Sequence, residues 1–191
     1  MRVALIAVNS KFVHTSLAAV CLAAACQKYG WEVAVREYTI NQKEDFILAD
    51  LFEMTPDVLC FSCYIWNIDL IARLACDYKT VAPQCQIILG GPEVSYDSVE
   101  LLTKHPAIDF VIRGEGETVL PVLLEKLARG SSVADVKGVT YRCGENILQN
   151  PDHEIVQDID LLPRPDYDRL ADIQNRIVYY EASRGCPFRC G

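Results

Sequence analysis

The sequence has little basic charge and no long apolar run. Its 191 residues hold 18 Lys and Arg against 26 Asp and Glu, a formal net charge of −8. Such a surface repels phosphate backbones, which argues against nucleic acid as a partner. No apolar stretch approaches the ~20 residues that span a bilayer, and the apolar run at residues 3–8 is too short for a signal peptide. These absences predict a cytoplasmic protein with no membrane or nucleic-acid partner; they leave its oligomeric state open.

Cysteine, by contrast, is abundant, with nine residues scattered along the chain. Several lie inside apolar runs, namely Cys21, Cys26, Cys60 and Cys76. This distribution predicts buried free thiols in a reducing compartment rather than a disulfide framework. A redox pair of the Cys-x-x-Cys type opens a helix, whereas Cys60 and Cys63 fall in a predicted strand, where residues three apart face opposite sides. We interpret both as core thiols.

Strand-like and helical segments alternate along the first 130 residues. Predicted strands cover residues 3–8, 31–38, 58–64, 86–89 and 110–112. Predicted helices cover residues 14–29, 44–54, 95–104 and 117–128, together with a segment capped by Asn67 that runs to about Tyr78. This alternation predicts an α/β fold, a doubly wound, flavodoxin-like or Rossmann-like sheet of five parallel strands in the order 2-1-3-4-5. Ligands of such sheets bind at the carboxyl ends of the strands.

The pattern changes after Gly130. Segments 136–142 and 146–149 flank Cys143-Gly144-Glu145, which predicts a C-terminal hairpin extension within 131–150. Residues 151–175 are rich in Pro and Asp, which is typical of a linker. Residues 176–182 predict one more strand, followed by the tail of the chain. We therefore expect four regions: a domain over 1–130, the hairpin over 131–150, the linker over 151–175 and a separate segment over 176–191.

This chain lacks the residues that three familiar classes of doubly wound protein require. A response regulator needs clustered carboxylates after strand one and an Asp after strand three, where this chain has Asn9 and the pair Cys63-Tyr64. A flavodoxin needs a phosphate loop rich in Thr, Ser and Gly, and Ser10 and Thr15 are too few. A dinucleotide fingerprint would need a third glycine at Val119, and the loop 114–117 follows strand five rather than strand one.

The predicted loops instead offer small, neutral and backbone-rich positions. They comprise Ser62, Tyr64 and Asn67 after strand three, Gly90, Gly91, Pro92 and Glu93 after strand four, and Gly114, Glu115, Gly116 and Glu117 after strand five. Glycine lets a ligand approach the main chain closely. The set suits a large, mostly uncharged ligand with amide groups better than a bare phosphate.

The tail carries a more specific signal. Arg184-Gly185-Cys186-x-x-x-Cys190 resembles the start of the radical SAM signature, Cys-x-x-x-Cys-x-x-Cys, whose three thiolates hold a [4Fe–4S] cluster. The resemblance implies that Cys186 and Cys190 are cluster ligands, that a third cysteine follows at position 193, and that S-adenosylmethionine binds the open iron to yield a 5′-deoxyadenosyl radical. It also implies a catalytic barrel, of which residues 176–191 would be the first strand, so we expect this chain to be a fragment that is inactive by itself.

A doubly wound domain before such a tail resembles the cobalamin (B12)-binding domain of B12-dependent radical SAM proteins, over roughly residues 1–150. The resemblance implies that the nucleotide tail of cobalamin lies in a groove near strands one, three and four, that the corrin caps the strand ends, and that methyl transfer is one of the reactions served. The candidate cobalamin-binding residues are Asn9, Ser10, His14, Thr15, Ser62, Tyr64, Trp66, Asn67, Gly90, Gly91, Pro92, Glu93, Gly114, Glu115, Gly116 and Glu117.

One departure keeps alternatives open. Other cobalamin domains carry Asp-x-His-x-x-Gly after strand one, but Phe12 and Leu17 flank His14 at those spacings, so cobalt ligation does not carry over to it. His105 and His153 have no partners at ligand spacing, and we expect both at the surface. A domain that has lost cobalamin and acts as a structural or substrate-positioning module for the barrel remains an alternative, as does a stand-alone flavin or nucleotide binder. Trp66 is equally consistent with stacking on a corrin and with covering the core. The carboxylates of the 114–117 loop are consistent with binding a ligand, or with the usual preference for acidic residues in the first turn of a helix.

Overall fold

The computed structural model describes residues 1–170 and 173–185. The strands are β1 (Val3–Asn9), β2 (Val33–Thr39), β3 (Val58–Ser62), β4 (Gln86–Gly90), β5 (Phe110–Ile112), β6 (Val139–Cys143) and β7 (Asn146–Gln149). The helices are α1 (Leu17–Lys28), α2 (Glu44–Met54), α3 (Ile68–Val81), α4 (Ser98–Lys104) and α5 (Gly116–Ala128), with 3-10 turns at Pro92–Val94, Ile159–Leu161 and Tyr167–Arg169.

The strands form one sheet in the order β2-β1-β3-β4-β5-β6-β7. The first five are parallel, as predicted, and in the predicted order. The hairpin of β6 and β7 does not stand apart from this sheet, because β6 pairs antiparallel with β5 through Phe110 and Tyr141. The expectation of a five-stranded sheet is thus corrected to seven strands: the open edge of β5 offers unpaired backbone groups that the hairpin satisfies.

Two apolar layers cover the sheet. Alternate residues of β1 point to opposite faces, so that Leu5 packs with α1 and α5 and Ile6 packs with α2 and α3. All seven residues of β1 are buried, as a central parallel strand requires. This double winding brings the carboxyl ends of β1, β3, β4 and β5 to one edge, which the helices leave open. Within the described residues, no helix combines the length and the apolar character needed to cross a membrane.

Two helices begin later than the sequence predicts. Helix α1 begins at Leu17 because Ser16 caps it, its hydroxyl accepting a hydrogen bond from the Ala19 amide at 3.3 Å. Residues 10–15 consequently form a loop at the carboxyl edge. Helix α4 begins at Ser98, since the chain first makes a 3-10 turn over Pro92–Val94. Strand β3 ends at Ser62, two residues earlier than predicted, and the Cys63 amide donates the last hydrogen bond of the β3–β4 pairing, to the Gly90 carbonyl at 2.7 Å.

The seven cysteines within the described residues are free. Cys60 and Cys63 are buried core thiols, as predicted, and burial raises the pKa of both. Cys26 is buried too and Cys21 partly so, but Cys76 is exposed, contrary to expectation. Helix α3 turns its apolar face to the sheet through residues such as Ile71, Leu74 and Ala75, which leaves Cys76 on the solvent side.

The segment at residues 173–185, called the strap below, crosses back over the carboxyl edge. The sequence predicts a strand over 176–182, but the structure contains only an isolated parallel bridge there, between His14 and Ile177. A strand requires a continuous partner, and within the described residues this segment meets the loop after β1 instead of another strand. Its interpretation as the first strand of a barrel stays a prediction.

Candidate binding site at the carboxyl edge of the sheet

A groove with a volume of about 590 Å³ opens between α1 and α5 and reaches down to the sheet. Its size is that of ordinary small-molecule sites, which span roughly 300–1,000 Å³. Apolar groups dominate the walls, which include Leu5, Ala18, Cys21, Leu22, Cys60, Ile88, Ile112 and Leu120. Polar groups stand mainly at its carboxyl-edge end, where Ser62, Tyr64, Ser95 and the residues of both glycine loops meet.

Ser62 is a buried polar group at the carboxyl-edge end of this groove. It lies at the end of β3 and is 9% exposed, and its Oγ is buried without a hydrogen-bond partner among the described residues. A buried hydroxyl without a partner costs roughly 1–3 kcal/mol, so its retention calls for an explanation. A ligand in the groove that carries a hydrogen-bonding atom would satisfy it.

The loop after β4 approaches β3 so closely that one position must be glycine. Gly91 has φ +117°, and a Cβ built there would stand 2.4 Å from the Cys63 carbonyl oxygen. Gly90 accepts the hydrogen bond from the Cys63 amide. The two glycines and Pro92 line the groove as predicted, whereas Glu93 is exposed and is not among its walls.

The loop after β5 starts helix α5. Gly114 has φ +77°, and a Cβ at Gly116 would come within 2.9 Å of Leu22 Cδ2 on α1, so this glycine permits the two helices to approach. Glu115 and Glu117 line the groove, yet both carboxylates bind the Arg184 guanidinium at 3.3 and 2.8 Å. Burial and the charge of Glu117 raise the pKa of the neighbouring Cys21 thiol to about 11.

A second cavity, of about 620 Å³, lies beside the first over β1 and β3. It brings together Asn9, Ser10, His14, Thr15, Tyr64 and Trp66 with residues 179–183 of the strap. Trp66 and Tyr64 stack with ring centroids 4.5 Å apart and planes 4° from parallel. The Trp66 indole donates to the Val8 carbonyl at 3.2 Å, but the residue stays 45% exposed. Trp66 thus covers the Tyr64 ring, and part of its own side chain stays exposed at the carboxyl edge of the sheet.

Several predicted ligand contacts are already committed to the protein. The Asn67 side chain is buried; it accepts from the Tyr64 amide at 2.8 Å and donates to the carbonyls of Val8 and Ser62, each at 3.0 Å. It therefore positions the loop after β3, and its side chain makes no hydrogen bond to α3 as a cap would. The Thr15 hydroxyl likewise donates to the Ile177 carbonyl at 2.8 Å.

The His14 side chain contacts the strap. Its Nδ1 is hydrogen-bonded to the Tyr179 hydroxyl, and the two rings lie 5.9 Å apart. His105 and His153 are partly buried rather than fully at the surface; His153 packs against Gly138. Cys186 and Cys190 lie outside the described residues, so their assignment as cluster ligands stays a prediction.

The sequence analysis missed the charged residues that fasten the strap. Arg176 pairs with Glu37 of β2 at 2.7 Å, and the same carboxylate accepts hydrogen bonds from the Ser16 amide at 2.6 Å and the Asn9 side chain at 3.0 Å. The sequence gives little signal for this contact, because β2 is an edge strand that also carries Arg36, where a charged residue is ordinary. Only the burial of the Glu37 side chain, seen in the structure, requires a paired cation.

Comparison with known proteins agrees with this geometry. Residues 3–124 match the B12 binding domain family. The chain is 32% identical to the hopanoid C-3 methylase of Methylococcus capsulatus over 175 residues, which cover 88% of this chain and 33% of that protein. It is 29% identical to the cobalamin-dependent radical SAM methyltransferase TokK of Streptomyces tokunonensis, covering 78% of this chain and 24% of that protein.

Among solved structures, the radical S-adenosylmethionine methyltransferase TsrM from Kitasatospora setae, with cobalamin and a [4Fe-4S] cluster bound, superposes with a TM-score of 0.68. Its 17% identity extends over 86% of this chain and 31% of that one, and it supports the fold alone. This chain spans about a third or less of these relatives. The family match, the sheet order and the groove agree, and the chain belongs to the B12-binding domain family, whose members similar to it include cobalamin-dependent radical SAM methyltransferases.

Proposed function

We propose that this chain binds cobalamin and presents it to a radical SAM barrel. The nucleotide tail of the cofactor would enter the groove between α1 and α5, and the corrin would lie over the carboxyl edge near Trp66. The observation that carries this proposal is Ser62: a groove of cofactor size ends on a buried hydroxyl that lacks a partner among the described residues.

The residues present fit such a ligand. The tail of cobalamin combines an apolar aromatic base with hydrogen-bonding atoms, and the groove combines apolar walls with Ser62 at its floor. The backbone at Gly90, Gly91 and Gly114 borders the mouth without side chains, which admits close approach of a bulky group. When bound, cobalamin would supply a cobalt-borne methyl group; this chain would bind the cofactor, orient it and limit its exposure to water.

The rest of the function is proposed from the relatives. TokK and TsrM carry the words "radical SAM" or "radical S-adenosylmethionine" in their names, and the tail of this chain has Cys186 and Cys190 at the spacing of the signature motif. We assign those two thiolates to a [4Fe–4S] cluster in a cytoplasmic protein whose barrel follows this domain. The full-length reading frame tests this part of the proposal: we expect a codon for cysteine at position 193.

Titration with aquocobalamin tests the binding. We expect a stoichiometric complex that survives gel filtration, with shifted corrin absorbance. Ala18 lines the groove from α1, so Ala18→Phe should fill it and abolish binding while the far-ultraviolet circular dichroism stays unchanged. Ala128→Phe, at the exposed end of α5, adds the same ring away from the groove and should bind normally.

The same titration distinguishes the alternatives. A parent chain that retains no cobalamin would favour a scaffold that only supports the barrel. Binding that persists unchanged in Ala18→Phe would mean that the groove is not where the cofactor tail lies. Retention of a yellow flavin or of ATP would point to the stand-alone nucleotide binder.

A further inference from the structure

Arg184 is surrounded by three carboxylates. Its guanidinium contacts Glu117 at 2.8 Å, Glu181 at 2.7 Å and Glu115 at 3.3 Å. The side chains of Arg184, Glu115 and Glu117 are 21, 16 and 11% exposed, so the cluster is screened from solvent more than a surface pair is. Hydrogen bonds to Glu181 and Glu117 raise the pKa of Arg184 further above its usual value. The guanidinium therefore stays charged, and charge-assisted bonds of this kind are the stronger ones.

The two glutamates of the α5 loop have few oxygens left for a ligand. Glu115 uses Oε1 for Arg184 and Oε2 to accept the Val156 amide at 2.6 Å. Glu117 uses Oε1 for Arg184. Since Arg184 lies 67 residues away from Glu117 in the chain, this contact joins two distant segments. The two carboxylates are therefore positioned to bind the Arg184 guanidinium of the same chain.

The position of this contact relates it to the groove. Arg184, Glu181, Glu115 and Glu117 all line the groove at its mouth, and Gly114 and Gly116 border it on the same loop. One residue, Gly185, separates Arg184 from Cys186, and two residue steps span at most about 7 Å. Whatever fixes Arg184 consequently limits where the cysteine motif can begin.

We propose that Glu115 and Glu117 are docking residues for Arg184, which hold the strap at the mouth of the groove and fix the point, two positions before Cys186, from which the cysteine motif continues. The docking is a property of this chain alone. The role given to Cys186 rests on the proposed function. In this proposal Glu115 and Glu117 are positioning residues rather than contacts to the cofactor, a role that the sequence analysis did not consider.

Proteolysis of the complete 191-residue chain, without cobalamin, tests the docking. Chymotrypsin cleaves after tyrosine, and Tyr180 of the strap is 83% exposed, so cleavage there reports release of the strap. Arg184→Gln should accelerate this cleavage about fivefold, because it removes charge-assisted bonds to three carboxylates that resist local opening. Glu117→Gln removes one of these contacts and should accelerate the cleavage by a smaller factor. Cleavage after Tyr29, at the end of α1, serves as the internal reference. Arg129→Gln, which removes a guanidinium from the exposed pair with Glu125, should change neither rate.

Coupling between the two residues is the sharper readout. The double variant Glu117→Gln/Arg184→Gln should be cleaved no faster than Arg184→Gln alone, since the contact between the two residues is lost only once. Arg184→Lys keeps the charge but loses the planar fork, and should give an intermediate rate that rises with added salt. Melting curves establish that each variant is folded.

Two outcomes would overturn the proposal. Multiplying rate effects in the double variant would mean that the residues act independently. An unchanged cleavage rate in Glu117→Gln, combined with weaker aquocobalamin binding, would make Glu117 a cofactor contact instead. Failure of the chain to bind aquocobalamin would refute the proposed function but not the docking, because the cleavage assay contains no cofactor.

Discussion

Arg176 and Glu37 form an ion pair with an N–O distance of 2.7 Å, and their side chains are only 5 and 8% exposed. The guanidinium also donates to the carbonyls of Phe12 and His14 and lies 5.4 Å from the centroid of the Phe12 ring. One buried contact thus connects β2, the loop after β1 and the strap, and it sets the shape of the carboxyl edge.

Glu37→Gln should lower the free energy of unfolding by about 3 kcal/mol or more, because it leaves a buried guanidinium without its counter-charge. Urea denaturation measures this change. Glu44→Gln is the matched control: it breaks an ion pair with Arg73 of the same 2.7 Å length whose side chains are 40 and 56% exposed, and should cost at most ~1 kcal/mol. Equal effects of the two substitutions would contradict the argument from burial.

Gly91→Ala should destabilise the chain by at least about 3 kcal/mol. A methyl group would meet the Cys63 backbone oxygen at 2.4 Å, and the positive φ adds strain of roughly 1–3 kcal/mol. Gly130→Ala separates the two causes, since Gly130 has φ +60° with nothing within 4 Å of an added Cβ, and it should cost only ~1 kcal/mol. Thermal or urea unfolding of both variants is the measurement; similar losses would show that the close approach adds nothing.

Ser62→Ala should act in opposite directions on stability and on binding. Removal of a buried hydroxyl without a partner leaves the free protein as stable as before, or up to ~1 kcal/mol more stable. Aquocobalamin binding should weaken about two- to tenfold, the value of one hydrogen bond. Ser98→Ala is the counterpart, because the Ser98 and Thr140 hydroxyls are hydrogen-bonded at 2.8 Å in the core; it should lose stability and keep its affinity. A Ser62→Ala variant that is destabilised would mean that the hydroxyl has a partner within the protein.

Alkaline pH should destabilise the chain in part through Cys26. Burial raises the pKa of this thiol from 9.0 to about 12, so the folded form holds the proton more tightly than the unfolded form. Its contribution is complete below pH 9 and is lost as the pH rises toward 12. Cys26→Ala should therefore reduce the slope of unfolding free energy against pH in this window by up to ~1.4 kcal/mol per pH unit. Val20→Ala, which trims a buried side chain without a titrating group on the same helix, should leave the slope unchanged; a reduced slope in that variant would refute the assignment to the Cys26 thiol.

The sheet order was predictable from the sequence because β1, β3, β4 and β5 are short apolar runs, β2 alternates, and a helix connects each parallel strand to the next. Helix α2 and strand β5 match their predicted bounds. The glycine loops were predictable too, since Gly90, Gly91 and Gly114 follow directly on strands. These features depend on local composition and on the handedness of the crossover.

Other features depend on contacts between distant residues, which a single sequence does not reveal. Arg176 lies 139 residues from Glu37, and no local pattern connects the two. The sequence predicts Asn67 to be a helix cap or a ligand contact. Only the fold brings its side chain within hydrogen-bonding distance of the Val8 carbonyl. The pairing of β6 with β5 was missed for the same reason: a hairpin pattern gives its own register but not the neighbour that it joins.

Arg176 and Arg184, the two arginines that fasten the strap to the domain, have a consequence for recombination among relatives. A crossover placed between β7 and Arg176 would combine Glu37, Glu115 and Glu117 from one parent with the arginines of another. Such a chimera would keep its ionic contacts only if the second parent supplied cations at both positions. The unit for transplanting this domain into another protein therefore extends to Arg184, well past the end of the sheet.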